Sequence, residues 1–175
     1  MRRCVFFDRD GIVNTPPKEG GYVERPDDLV VEPAFLDALR VVVKHGYDAI
    51  VVTNQQGVGK SLYSEKTLGE IHNKLLNVVE SSGLKILAVY YCPHLAEERC
   101  DCRKPKPGLL LRAADEWQID LASSWMVGDS VRDVEAGMAA GCRTVLVNPQ
   151  TDDRANVCIE RIGCLPATLA DVLGI

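Results

Sequence analysis

Short apolar runs alternate with helix-forming stretches along this chain, and this alternation constrains the fold more than any other feature of the sequence. Each run has about the length of a strand and is bounded by polar residues or glycine, which is typical of buried strands in parallel sheets. We predict strands over residues 4–7, 49–52, 86–91, 125–127 and 144–147.

The stretches between these runs carry apolar residues at the spacing of amphipathic helices. Pro33 and Ser64 are typical helix starts, and Gly46 and Gly83 are typical helix ends. We predict helices over residues 33–45, 64–82, 107–117, 131–140 and 169–173. The alternation therefore predicts an α/β fold with a doubly wound parallel sheet, folded as a single domain over residues 1–175.

Ligands of such sheets bind outside the carboxyl ends of the strands, so the residues that follow each strand are the candidates for a site. Polar residues follow the first four predicted strands. They are Asp8-Arg9-Asp10-Gly11, Thr53-Asn54-Gln55, Cys92-Pro93-His94 and Gly128-Asp129-Ser130. The predicted topology thus collects carboxylates, a hydroxyl group and soft metal ligands at one edge of the sheet.

Asp8 and Asp10 are separated by one residue directly after the first predicted strand. Carboxylates this close repel each other unless a cation lies between them, and Mg²⁺ is commonly bound through carboxylates and substrate phosphate oxygens. One aspartate can attack phosphorus, while a second protonates the leaving oxygen and then deprotonates the attacking water. The pair indicates phosphoryl transfer with Mg²⁺ as cofactor, although an isolated pair also occurs as a simple turn.

Three further signals have both a catalytic and a purely structural interpretation. The hydroxyl group of Thr53 fits a phosphoryl pocket, but threonine is also an ordinary turn residue. Lys104 beside Arg103 offers positive charge to a phosphoryl transition state, but such pairs are also common on solvated surfaces. Asp129 with Asp133 can complete a magnesium site, but acidic residues are also favoured at helix N-termini.

Taken in order, these signals resemble the motifs of the haloacid dehalogenase superfamily of phosphatases, over nearly the whole chain. The resemblance implies a Rossmann-like fold in which Asp8 is the nucleophile and Asp10 is the general acid and base. It implies that Thr53 and Lys104 hold the phosphoryl group. The implied magnesium ligands are Asp8, Asp10 through its backbone carbonyl, and Asp129, with Asp133 in a supporting role.

Cysteine and histidine residues form a compact cluster shortly before Lys104. Three thiolates and one imidazole in a short loop fit a tetrahedral zinc site with no open position, which indicates a structural role. The candidate Zn²⁺ ligands are Cys92, His94, Cys100 and Cys102. Zinc would fold a loop that has almost no apolar residues and would hold Arg103 and Lys104 beside the site.

The cluster, followed by Arg103-Lys104-Pro105, narrows the resemblance to a branch that contains heptose bisphosphate phosphatases and histidinol phosphate phosphatases. The segments around Asn14, Tyr22 and Asn54 are more similar to the heptose enzymes, and the short metal loop is more similar to the histidinol enzymes. The branch implies a cap-less, monomeric domain with a small phosphorylated sugar as substrate, contacted by Asn54 and Arg103. The absence of a second, dehydratase domain favours the heptose substrate.

Charge, hydropathy and cysteine content exclude other partners. The formal net charge of -5 argues against a general nucleic-acid binder. Apolar runs stay well short of the ~20 residues that a membrane span requires. Seven cysteines, an odd number, without an export signal predict reduced thiols and a cytoplasmic protein.

Two other function classes compete with the phosphatase interpretation. The segment Gly57-Val58-Gly59-Lys60-Ser61 resembles the end of the phosphate-binding loop of kinases and NTPases, but the full pattern needs a glycine where this chain has Asn54. A non-catalytic zinc-binding interaction module would leave the aspartate pairs unexplained. Phosphate release without added nucleotide would distinguish the phosphatase from both.

Overall fold

The structure is a computed structural model that describes residues 1–18 and 20–174. The strands are β1 (Cys4–Phe7), β2 (Asp48–Asn54), β3 (Ala88–Cys92), β4 (Trp125–Gly128), β5 (Arg143–Val147) and β6 (Val157–Ile159). The α-helices are α1 (Pro33–Lys44), α2 (Glu65–Ser81), α3 (Gly108–Trp117), α4 (Val131–Ala140) and α5 (Leu165–Leu173). Short 3₁₀ turns lie at Pro26–Asp28, Ala96–Glu98, Leu121–Ser123 and Ile162–Cys164.

The strands form one six-stranded sheet in the order β3-β2-β1-β4-β5-β6, and every neighbouring pair is parallel. The predicted doubly wound α/β fold is confirmed. The chain builds outward from β1 to β2 and β3, and then returns to the other side of β1 to form β4. A topological switch point therefore lies between β1 and β4, which is where sheets of this kind bind ligands.

Helices cover both faces of the sheet, and the central strand β1 shows why its sequence is apolar throughout. Val5 and Phe7 face a core layer that includes residues of α1, α2 and α5. Cys4 and Phe6 face a second layer that includes residues of α3 and α4. All four side chains are fully buried, as expected for a strand that is covered on both faces.

The helix starts follow the local signals in the sequence. Pro33 is the first residue of α1, where its missing N–H group costs no hydrogen bond. The hydroxyl group of Ser64 caps α2 by accepting the backbone N–H of Thr67 at 3.0 Å. Both starts agree with the predicted helices.

Two elements differ from the sequence-based prediction. Strand β6, at the edge of the sheet, was not predicted because it has only three half-buried residues and no longer apolar run. Helix α5 begins at Leu165 rather than at residue 169, because Pro166 lies in its first turn, where a helix tolerates proline.

No cap domain is inserted among the described residues, since the strands are joined only by the covering helices, short turns and loops. The cap-less architecture is thereby confirmed. Among the same residues, none of the helices combines the length and the apolar character needed to cross a bilayer.

Candidate active site

The carboxyl ends of β1, β2 and β4 meet at an open cavity of about 390 Å³. Most of the residues that the sequence singled out line this cavity together. They are Asp8, Asp10, Thr53, Asn54, Lys104, Asp129 and Asp133. Arg103 lies in an adjoining cavity instead. Side chains that are far apart in the sequence therefore converge at the switch point of the sheet.

Lys104 lies at the centre of this group and its side chain is only 3% exposed. Its Nζ atom lies 2.7 Å from Oδ1 of Asp8 and 2.7 Å from Oδ1 of Asp133, and it donates to the carbonyl of Val52 at 2.9 Å. Burial opposes the charge of Lys104, but Asp133 and Asp8 together raise its pKa. The site therefore contains a permanent cation beside Asp8.

The two carboxylate oxygens of Asp8 have different surroundings. Oδ1 accepts hydrogen bonds from Lys104 Nζ at 2.7 Å and from the backbone N–H of Arg9 at 2.8 Å. Oδ2 accepts no hydrogen bond from the described residues, and the side chain remains 14% exposed to the cavity. One oxygen of a held carboxylate is thus free to act as a nucleophile.

An acidic cluster surrounds Asp8. Carboxylate oxygens of Asp8, Asp129 and Asp133 lie within 4.8 Å of one another. Burial, together with the nearby Asp133, raises the pKa of Asp8 to about 7 and that of Asp129 to about 6. A divalent cation would relieve this crowding, because an opposite charge favours the ionised carboxylates. The hard oxygen donors of Asp8 and Asp129 fit Mg²⁺.

Glycine is required at two positions where the backbone packs against these carboxylates. Gly11 has a φ of +89°, and a Cβ atom there would lie 2.1 Å from Oδ2 of Asp129. A Cβ atom on Gly128 would lie 2.2 Å from Cβ of Asp133. A side chain at either position would displace an acidic residue of the cluster.

The carboxylate of Asp10 is not part of this acidic cluster, although it lines the same cavity. It accepts hydrogen bonds from Nη2 of Arg9, Nδ2 of Asn14 and Nε2 of Gln55, each at 3.0 Å. Its side chain is therefore held by three neighbours beside the group formed by Asp8 and Asp129, and 27% of it stays exposed. This orientation is compatible with magnesium binding through the backbone carbonyl of Asp10, which stays a prediction.

Thr53 and Asn54 end strand β2 at the cavity. The hydroxyl oxygen of Thr53 accepts a hydrogen bond from Nε2 of Gln55 at 2.8 Å. The side-chain amide of Asn54 forms two hydrogen bonds of 3.0 Å with the backbone of Lys104, one to its carbonyl and one from its N–H. Asn54 therefore positions the backbone of Lys104 while lining the cavity, and its expected contact with the substrate stays a prediction.

The four predicted zinc ligands lie together in the loop after β3. The Sγ atoms of Cys92 and Cys102 lie 3.5 Å and 3.2 Å from Nδ1 of His94, and Cys100 Sγ lies 3.6 Å and 3.5 Å from these two sulfurs. Tetrahedral zinc with its usual bond lengths separates such ligands by about 3.5–3.8 Å. The donor set and its geometry therefore fit Zn²⁺.

A second, positively charged cavity of about 540 Å³ adjoins the first. Arg99, Arg103, Lys106 and Arg132 line it together with Lys104, and none of its described lining residues is acidic. Lys104 and Arg132 line both cavities. Positive charge therefore extends without interruption from the acidic centre to the surface of the zinc loop.

The glycine-rich segment after β2 does not form a phosphate-binding loop. The backbone N–H of Gly59 donates to the carbonyl of Pro93 at 3.1 Å, and that of Lys60 donates to Gln56 at 2.9 Å. The Lys60 ammonium lies 5.4 Å from the centroid of the Tyr22 ring. Because the backbone donors are already paired with protein carbonyls, the kinase interpretation is not supported.

Sequence reasoning missed several residues of the site. Asn148 follows β5 and donates to the carbonyl of Asp129 at 2.9 Å. It could have been found by treating the residues that follow the fifth strand as candidates, like those after the first four. Arg132, which lines both cavities, belongs to none of the sequence motifs. Arg9 and His72 meet only in the folded chain, where Nη1 of Arg9 lies 3.2 Å from Nε2 of His72.

Comparison with known proteins gives similarity over almost the full chain. A family model described as HAD-hydrolase-like matches residues 101–168. The D-glycero-beta-D-manno-heptose-1,7-bisphosphate 7-phosphatase of Pseudomonas putida is 38% identical over 152 residues, covering 87% of this chain and 86% of that protein. The protein of the same name from Pasteurella multocida is 37% identical over 179 residues, covering 95% of this chain and 96% of that protein.

A solved structure is similar in fold as well. The D,D-heptose 1,7-bisphosphate phosphatase from B. bronchiseptica, complexed with magnesium and phosphate, superposes with a TM-score of 0.86 at 30% sequence identity. The superposition covers 97% of this chain and 99% of that chain. The whole sheet and its loops therefore have counterparts in a protein of known ligands.

Proposed function

This chain belongs to the haloacid dehalogenase-like family of D-glycero-beta-D-manno-heptose-1,7-bisphosphate 7-phosphatases, and we propose that it removes the 7-phosphate of that heptose bisphosphate through an aspartyl-phosphate on Asp8. The observation that carries the mechanism is the Asp8–Lys104 pair, with a free Asp8 oxygen facing the cavity and Asp129 beside it. The fold and the family identify the chain as a phosphatase.

The reaction proceeds in two steps at this site. Oδ2 of Asp8 attacks phosphorus, the bond from phosphorus to the sugar oxygen breaks, and Asp10 gives that oxygen its proton. Asp10 then takes a proton from water, which attacks the aspartyl-phosphate, releases inorganic phosphate and restores Asp8. Lys104 and Thr53 hold the phosphoryl oxygens throughout, as positively charged and hydrogen-bonding groups do in phosphoryl transfer.

Bound Mg²⁺ would supply charge neutralisation at the phosphoryl oxygens. Asp8, Asp129 and the Asp10 carbonyl would hold it, and Asp133 would fix Lys104 and the start of α4. Asp133 Oδ2 accepts hydrogen bonds from the N–H group of Ser130 at 3.1 Å and from its hydroxyl at 2.8 Å. The acidic residue of this turn is therefore tied to the protein as well as to the lysine.

A bisphosphate fits the charge of the site better than histidinol phosphate does. The second cavity presents the guanidinium groups of Arg99, Arg103 and Arg132 beside the phosphoryl pocket. Guanidinium groups bind phosphate in bidentate fashion, so they suit the remote phosphate of a bisphosphate. The free amine of histidinol phosphate is cationic and would be repelled by them.

The proposed zinc site and the proposed reaction together indicate the cellular setting. A structural Zn²⁺ held by three thiolates requires reduced cysteines, which are typical of the cytoplasm. We place the enzyme there as a monomer, in the synthesis of nucleotide-activated heptose for lipopolysaccharide or another surface glycan.

The direct test of the substrate is kcat/KM for the heptose 1,7-bisphosphate and for histidinol phosphate at one magnesium concentration. A single charge-assisted contact to the remote phosphate should favour the bisphosphate by about 10- to 150-fold. Because remote binding energy can orient the reacting phosphoryl group, the preference should appear in kcat/KM. Equal values, or a preference for histidinol phosphate, would refute the substrate assignment and leave the phosphatase mechanism intact.

Arg132 provides a sharper test, since it lines both cavities and forms no ion pair with a described residue. Arg132→Ala should lower kcat/KM for the bisphosphate by about 10-fold, the loss of one charged hydrogen bond, and leave that for the heptose 7-monophosphate nearly unchanged. The matched control is Arg40→Ala, which removes an exposed arginine on α1 that lines neither cavity. A loss of the same size on both substrates would contradict the assignment of Arg132 to the remote phosphate.

A further inference from the structure

Arg9 is a completely buried arginine whose guanidinium group joins two functional side chains. Its Nε and Nη2 atoms donate to Oδ1 of Asp10 at 3.2 Å and 3.0 Å, and Nη2 also reaches Oδ2 at 3.2 Å. Its Nη1 atom lies 3.2 Å from Nε2 of His72. A buried cation is costly unless its donors are paired, so both contacts are needed to keep Arg9 in place.

His72 is the far end of this connection and lies in the middle of α2, with only 7% of its surface exposed. A guanidinium group has donors and no acceptor, so Nε2 of His72 accepts the hydrogen bond and the proton lies on Nδ1. Burial and the positive charge of Arg9 lower the pKa of His72 to about 3. The imidazole is therefore a neutral, fixed acceptor for Arg9.

A second connection reaches Asp10 from the other side. The hydroxyl group of Tyr63 donates to Oε1 of Gln55 at 2.7 Å, which orients the amide so that its Nε2 donates to Oδ2 of Asp10 at 3.0 Å. Arg9 and Asn14 thus hold Oδ1 of this carboxylate, and Gln55 holds Oδ2 together with Nη2 of Arg9. Donors on both oxygens fix the plane of the carboxylate, which otherwise rotates freely about its terminal torsion.

We propose that His72 is a positioning residue that holds Asp10, through Arg9, in the orientation from which it exchanges a proton with the leaving oxygen. This inference rests on the proposed role of Asp10 as general acid and does not depend on which sugar is the substrate. His72 touches neither substrate nor metal in this arrangement. Loss of its acceptor loosens Arg9 and leaves only Asn14 and Gln55 to hold the Asp10 carboxylate.

The test compares two leaving groups in His72→Leu. An alkyl phosphate needs a proton on its leaving oxygen, whereas p-nitrophenolate departs without one. We expect kcat/KM for the best alkyl phosphate of a substrate panel to fall by about 10- to 100-fold, and that for p-nitrophenyl phosphate to change by less than about threefold. Equal losses on the two esters, or no loss on the alkyl phosphate, would overturn the proposal.

Two further variants separate positioning from folding. His72→Gln keeps an acceptor near the place of Nε2 and should restore most of the alkyl phosphate activity. Leu75→Val removes volume from the same buried face of α2 without touching Arg9, and should affect both esters equally. If His72→Leu does not fold, His72→Asn makes the same comparison, because the shorter amide does not reach Arg9.

A spectroscopic measurement tests the connection without any turnover. The chain has three histidines, so the ¹⁵N resonances of His72 can be assigned by single substitutions. The neutral tautomer with the proton on Nδ1 should persist well below the pH at which an exposed histidine becomes protonated. A proton on Nε2, or ordinary protonation near pH 6, would exclude the Arg9 contact even if the enzyme is an active phosphatase.

Discussion

Asp8→Asn is expected to abolish turnover and to leave the fold intact. An amide oxygen cannot form the aspartyl-phosphate, and loss of a covalent nucleophile in hydrolases of other families costs up to ~10⁶-fold in kcat. We expect a loss of at least about 10⁴-fold for any phosphomonoester substrate. Asp10→Asn should cost less, about 10²- to 10⁴-fold, because it removes only acid–base assistance.

The stability of the same variant has a predicted direction. Burial and the neighbouring Asp133 raise the pKa of Asp8 to about 7, so the ionised form of Asp8 weakens the metal-free fold. The metal-free Asp8→Asn protein should therefore unfold at a temperature no lower than wild type at pH 8, where Asp8 is ionised. Asp37→Asn, an exposed aspartate on α1, serves as the control for a lost surface charge.

For the activity prediction, an Asp8→Asn protein with activity within tenfold of wild type would rule out Asp8 as the nucleophile.

Removal of one zinc ligand is the second large expected effect. Zinc peptides gain on the order of 10–16 kcal/mol from metal binding near neutral pH, and here the metal loop carries Lys104. Cys100→Ser should release the zinc, lower the melting temperature and displace Lys104 from Asp8, so that activity falls with stability. Elemental analysis measures the zinc content, thermal unfolding the melting temperature and kcat the activity, all on one preparation.

The control for that experiment is Cys164→Ser, which changes a half-buried thiol outside the metal cluster and should keep zinc, stability and activity. In the structure, two hydrogen bonds between Asn54 and the backbone of Lys104 join the end of this loop to β2. Native protein with well under one zinc per chain and full activity would contradict a structural zinc.

Much of the fold was predictable because its signals are local. Asp8 and Asp129 directly follow the apolar runs of β1 and β4. Because these strands are parallel neighbours, the two side chains lie at the same edge of the sheet. The Cys/His cluster was predictable for the same reason, since its four residues lie in one short loop.

The parts that could not be predicted depend on contacts between distant segments. The Arg9–His72 pair joins the end of β1 to the middle of α2, and no spacing in the sequence indicates it. The side chain of Asn54 also bonds to the backbone of Lys104, fifty positions along the chain, and no local signal in the sequence indicates this contact. Strand β6 has three residues, too few for a periodic signal.

The aspartyl-phosphate itself is the central claim, and it can be observed directly. In Asp10→Asn, p-nitrophenyl phosphate should still transfer its phosphoryl group, because its leaving group needs no proton, whereas hydrolysis of the intermediate should be slow without a base. Acid quenching in the presence of Mg²⁺, followed by mass spectrometry of the peptides, locates the label. An aspartyl-phosphate intermediate predicts the mass of one phosphoryl group on Asp8 in this variant and no label in the double variant Asp8→Asn/Asp10→Asn. A phosphoryl group on another residue, or release of phosphate with no labelled protein during the burst of p-nitrophenol, would contradict it.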